Sequence, residues 1–158
     1  MFKVTATDID SYIGFDPVRA PDLRRVDELI RASAPSLERW FVAGTAAGQP
    51  GMSMSMIGYG QFIYRVQAST EPVAWPVVGL ALQKNYLSLY CSATRGAGSF
   101  TLEYAGRLGD GSLSQKGVLS FVRAADLDPE GFAEMLTALE RLLAEKALVL
   151  RYGRVKGD

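Results

Sequence analysis

Apolar positions recur along this chain with helical spacing, then with strand spacing, then with helical spacing again. Residues 8–13 place Ile9, Tyr12 and Ile13 on one side of a short helix opened by Thr7 or Asp8 as cap. Asp16-Pro17 offers a second cap followed by proline at the first helical position. Over residues 18–33, Val18, Leu23, Val26, Leu29, Ile30 and Ala34 approximate an apolar stripe, with Asp22, Arg24, Arg25, Asp27, Glu28 and Arg31 on the polar side. Pro21 either moves the start to Asp22 or bends the first turn, and Pro35 ends the helix.

Strand patterns follow. A small-residue loop over 43–51 leads into Met52-Ser53-Met54-Ser55-Met56, whose period of two predicts a strand with Met on one face. Three methionines on one face raise a soft-metal reading, but no His or Cys stands near, and core or edge packing is the expectation. Residues 62–67 alternate, 76–83 are almost continuously apolar and therefore central, and 86–91 follow at hairpin spacing, so the last two are predicted to pair antiparallel. Phe100, Tyr104 and Leu108 at i, i+4 and i+8 predict a short helix over 99–108 closed by Gly109, and 117–123 read as a final strand. Asp128-Pro129-Glu130 then opens a long helix with Phe132, Met135, Leu136, Leu139, Leu142 and Leu143 as its buried stripe. The basic residues from Arg151 onward are expected to form a solvated end. The element order predicts an α+β two-layer sandwich, an antiparallel sheet covered on one face by N- and C-terminal helices.

Composition narrows the chemistry. The 158 residues fit one domain and, at 48% hydrophobic and 22% charged, one able to build its own core. Seventeen Lys and Arg balance seventeen Asp and Glu, which removes the electrostatic footprint of a nucleic-acid binder. Histidine is absent and cysteine occurs once, excluding zinc fingers, His-based triads and an intrachain disulfide. Cys91 is expected to be a buried strand thiol, since no His exists to activate it. No secretory leader or membrane span is legible, so a cytoplasmic location without membrane contact is expected. Oligomeric state is not legible.

P-loop, dinucleotide-binding and nucleophile-elbow signatures are all missing. Asp8 with Asp10, and Asp126 with Asp128, are explained as helix caps. What remains is a set of polar groups at strand ends: Lys84 in the hairpin turn, Tyr90 on the next strand, Arg95 beside Gly96-Ala97-Gly98-Ser99, and Lys116-Gly117 before the last strand. A glycine-rich turn ahead of a helix exposes backbone N–H groups, and neighbouring cations would help it hold an anion.

Gly58-Tyr59-Gly60-Gln61-Phe62, Lys84 through Tyr90, and Ser114-Gln115-Lys116-Gly117 through Phe121 resemble the successive motifs of the YdhG-like family of unknown function, across about residues 7–147. Gln61 stands where that family usually has proline, Gln115 intervenes before Lys116, and residues 39–57 look like an insertion. The resemblance implies a single bacterial frataxin-like α+β domain, with ligand roles for Lys84, Tyr90, Lys116, Gly117 and Tyr59. Residues and resemblance together favour a binding module without a cofactor, in which Lys84, Arg95 and Lys116 supply charge to a small anionic or polar ligand and Tyr59 and Tyr90 supply aromatic walls. A frataxin-like iron chaperone ranks second, because Asp22, Asp27 and Glu28 are interleaved with Arg24, Arg25 and Arg31 and their negative field is cancelled. An enzyme ranks third, since without His a base would have to be a lysine or a carboxylate.

Overall fold

The computed structural model describes residues 2–44, 54–65 and 72–151. Helix α1 (Ile9–Ile13) is opened by Asp8, whose Oδ1 accepts the Ser11 N–H at 2.7 Å while Ser11 Oγ accepts from the Asp8 N–H at 3.3 Å, a reciprocal capping box. Asp16 shapes the following turn by accepting the Val18 N–H on its side chain and the Ala20 N–H on its carbonyl. Helix α2 (Ala20–Ser33) therefore begins behind Arg19, which makes no side-chain cap bond, and not at Pro17 behind an Asp16 cap as expected, leaving Val18 84% exposed. Pro21 lies in the first turn, where a missing N–H costs nothing, and the helix closes at Ala34 before Pro35.

The main sheet comprises β1 (Arg39–Val42), β2 (Met56–Arg65), β3 (Pro72–Leu82), β4 (Leu87–Cys91), β7 (Ser112–Leu113) and β8 (Leu119–Phe121), in the order β1-β2-β3-β4-β8-β7 with every neighbour antiparallel. A smaller sheet joins β5 (Ala93–Arg95) to β6 (Gly98–Ser99) on one side and β9 (Val149–Leu150) on the other. Helix α3 (Pro129–Ala144) opens on Asp128, whose carboxylate accepts the Glu130 and Gly131 N–H groups. The protein is an α+β fold, and its helices share one core with one face of the sheet. Tyr12, Leu23, Ile30, Phe132, Leu136 and Leu139 pack there with Ile57, Tyr59, Leu80, Leu87, Leu89 and Leu119.

The other face carries a smaller cluster of Val42, Met56, Trp75 and Ala81, flanked by Trp40, Met54, Phe62, Tyr64 and Tyr90. Met56 is fully buried over Gly79, where a side chain would collide with its sulfur. Packing thus accounts for Met54 and Met56, while Met52 falls outside the described residues. The predicted hairpin is present, with Leu82 paired to Leu87.

Several expectations need correction. β2 begins at Met56 rather than at residue 62, and β3 begins at Pro72. Arg39–Val42 form the edge strand β1, and Met56 and Ile57 open β2. The helix expected over 99–108 is a 3₁₀ turn, Phe100–Tyr104, with positive φ at Gly106 and Gly109 beyond it. Phe100 and Leu108 are both buried, but they reach the core from separate local structures. Val66, Gln67 and the tail after Arg151 fall outside the described residues.

Tyr12 links layers that are distant in sequence. Its hydroxyl donates to the Ser55 carbonyl at 3.1 Å and accepts the Leu82 N–H at 2.7 Å. Burial pushes its pKa up to about 12. A phenol held protonated in the folded state stabilises the fold fully below pH 10, and that contribution is lost as pH rises towards 12. Over two units it amounts to about 3 kcal/mol. Urea midpoints measured from pH 8 to pH 12 are expected to fall steeply above pH 10. Tyr12→Phe should flatten that fall while lowering stability at pH 8 by about 1–3 kcal/mol, because the Leu82 N–H loses its acceptor. Gly131 offers a second test: a Cβ there would collide with the Arg107 carbonyl oxygen. Helix propensity alone favours Gly131→Ala by about 1 kcal/mol. The collision predicts a net loss of about 1–3 kcal/mol instead, read from the same urea midpoints.

Candidate functional site

Along α2, residues 23, 26, 27 and 30 fall on one face, and all four are buried. Three are apolar; the fourth is Asp27, 2% exposed. Its side chain therefore points into the layer between helix and sheet, not to the polar side where the sequence pattern placed it. A carboxylate in that position is costly unless every lone pair is used. Tyr59 donates its hydroxyl to Oδ1 at 2.5 Å, Arg39 donates to Oδ2 at 2.8 Å, and Arg31 approaches Oδ2 at 3.5 Å.

Strand register explains why these groups meet. Arg39 and Tyr59 are direct partners across β1 and β2, so their side chains leave the sheet on the same side, under α2. Gly60 sustains the geometry with φ +71°, its N–H donating to the Glu38 carbonyl at 2.9 Å. A Cβ at Gly60 would sit 3.0 Å from both Leu37 Cδ2 and Val77 Cγ2. Tyr59 is wholly buried, and its pKa is driven well above the usual value first by burial and then by the adjacent Asp27 charge. It stays a neutral donor across the physiological range.

Outside this buried pair lies an open cleft of about 540 Å³ between the C-terminal turns of α2 and the start of β1. Glu28, Arg31, Glu38 and Arg39 line it, with Ala32, Pro35 and Leu37 as its apolar wall. The Arg39 side chain is 27% exposed and that of Arg31 51%, so each spans the distance from buried carboxylate to solvent.

Of the residues expected to bind the ligand, Tyr59 alone joins this cluster, through its bond to Asp27. Lys84 lies exposed in the turn before Leu87, and Lys116 lies exposed three residues before Leu119. Leu87 pairs with Phe121 and Leu89 with Leu119, so the two lysines stand at opposite ends of the β4–β8 pair. Tyr90 belongs to the small cluster on the face away from the helices, where its hydroxyl accepts from Gln83 Nε2 at 3.3 Å. Arg95 is engaged by both Glu103 oxygens, at 2.7 and 3.0 Å, and Ser99 Oγ accepts the Thr101 N–H. The cradle proposed from Gly96 to Ser99 is therefore a β5–β6 hairpin whose cation and cap already have partners. Gly117 takes φ +84° in a turn pressed against Ser99, and a side chain there would collide with Ser99 Oγ. Cys91 packs against the main core, and burial pushes its thiol pKa up.

Sequence reasoning missed Asp27, Arg31 and Arg39 as a unit. The available signal was the spacing of Asp27, four residues after Leu23 and three before Ile30, which puts an acid on an apolar stripe. Among the described residues no group of three or more His, Cys, Asp or Glu is placed to hold a metal ion, and no helix is long and apolar enough to cross a membrane. Comparison of the chain with protein-family models, with curated proteins and with solved structures finds no match.

Asp27→Ala leaves Arg39 and the Tyr59 hydroxyl without their acceptor and is expected to cost about 3–5 kcal/mol. Tyr59→Phe should cost about 1–3 kcal/mol. In denaturant unfolding the double variant should fall short of the sum of the two by about 0.5–3 kcal/mol, because both act through one hydrogen bond.

Proposed function

We propose that the chain is a binding module that holds a small ligand by an anionic or polar group in the α2–β1 cleft. The observation that carries this reading is the anchoring of two cleft-lining guanidiniums on one buried carboxylate. Each arginine directs one N–H-bearing nitrogen to Asp27, and the rest of each planar fork remains for an acceptor in the cleft. Anchoring removes part of the side-chain entropy that binding would otherwise cost. The wall of Ala32, Pro35 and Leu37 supplies the apolar contact that small-ligand sites combine with a few placed polar groups. In this reading Tyr59, which the YdhG-like motif resemblance selects, holds the anchor from behind and does not touch the ligand. The iron-chaperone alternative finds no supporting carboxylate cluster among the described residues.

Thermal-shift and calorimetric titration against small carboxylates and phosphates test the proposal. At least one is expected to bind saturably, adding about 2.7 kcal/mol of stability at a hundred times its Kd. Arg31→Gln should weaken that binding tenfold or more. It should alter the stability of the free protein by less than about 1 kcal/mol, since the Arg31 pair is half exposed and long. No response to any small carboxylate, phosphate or amino carboxylate, or undiminished binding by the variant, would overturn the proposal.

A further inference from the structure

Arg31 has two acids within reach on its own helix, Asp27 one turn back and Glu28 three residues back. Its guanidinium turns to Asp27. Arg39, next in sequence to Glu38, does the same. Both choices leave a carboxylate over: among the described residues no salt bridge engages Glu28 or Glu38, although both line the cleft and are exposed. The cleft and its buried anchor thus hold three carboxylates against two guanidiniums, one negative charge in excess. A multiply charged anion would meet the arginines only by facing Glu28 and Glu38 as well, and like charges at such range repel.

Resting on the binding role proposed above, we infer that the ligand is a small zwitterion, an amino carboxylate of amino-acid to dipeptide size. Its carboxylate is held by Arg31 and Arg39, and its ammonium group faces Glu28 and Glu38. The arginine fork matches a carboxylate in plane and spacing. A glutamate carboxylate offers only acceptors and so complements an ammonium group, which offers only donors. On α2 the two signs are set side by side, since Glu28 and Arg31 are i, i+3 neighbours about 5–6 Å apart at Cβ. That separation suits a ligand whose charges lie a few bonds apart. The volume of about 540 Å³ accommodates a dipeptide.

Alanyl-alanine, its N-acetyl derivative and its C-terminal amide provide the probes, titrated calorimetrically into the full chain and into a Glu28→Gln, Glu38→Gln double variant. Both glutamates are exposed and, among the described residues, without an ion pair, so the variant is expected to fold as the parent does. The free dipeptide should bind at least tenfold more tightly than either blocked form. In the double variant the advantage over the N-acetyl form should shrink below threefold, while the advantage over the amide persists. If the N-acetyl dipeptide binds as well as the free one, the zwitterion inference fails and the anion-binding reading stands. If simple carboxylates or phosphates bind and no dipeptide does, the inference again fails alone. If neither dipeptides nor simple anions bind, the reading on which it rests fails too.

Discussion

Asp27 is a charge set where a charge is expensive, and much of the local architecture follows from how that expense is met. Its two oxygens are shared among a phenol from β2, a guanidinium from β1 and a second guanidinium from α2 itself. Three elements are thereby tied at one point. The arrangement adds little net stability over an apolar core of the same shape. What it adds is placement: β1 is held beneath the end of α2, and two cations are fixed at the edge of solvent. Removing the carboxylate would free both arginines, and the cleft would lose its defined charge pattern along with its anchor.

The edge strand is held from its other side as well. Arg39 reaches towards the helices, and its neighbour Trp40 donates from Nε1 to the Gly60 carbonyl at 2.8 Å as part of the cluster on the opposite face. Alternation along a strand thus places a polar clamp on one side and an aromatic one on the other. Gly58 makes the second possible: a Cβ there would come within 2.9 Å of the Trp40 indole nitrogen and 2.8 Å of Val42 Cγ2. Tyr59, between Gly58 and Gly60, is the residue those two glycines allow to sit flush in the sheet. The close approaches at Gly58 and Gly60 pack the Gly-Tyr-Gly run around a hydrogen-bond donor to Asp27.

Where local signals agreed, the sequence was legible. α3 combines a capping Asp128, Pro129 in its first turn, an acidic start and an unbroken apolar stripe, and its boundaries follow from those residues. The β3–β4 hairpin was equally clear because a short turn joins two apolar runs. Short strands were not. β1, β5, β6, β7 and β9 span two to four residues each, too few to show a period, and they exist because a partner strand lies alongside. The 3₁₀ turn at Phe100 imitated a helix, since apolar residues four apart arise from any path that returns twice towards the core.

The chain's own chemistry determined the caps of α1 and α3 and most of the apolar faces, because those depend on neighbours within four or five residues. It also determined that any site here must work without histidine, with arginine, lysine, tyrosine and carboxylates. Which of those residues meet was decided by strand register and by the rotation of α2. Arg39 lies twenty residues from Tyr59 in sequence yet directly opposite it across the sheet, and Asp27 faces both because its helix presents that side to the core. Two lysines that looked equivalent in sequence ended at opposite ends of one strand pair by the same rule. Periodicity sets which face a side chain takes; only pairing between distant strands sets its neighbours.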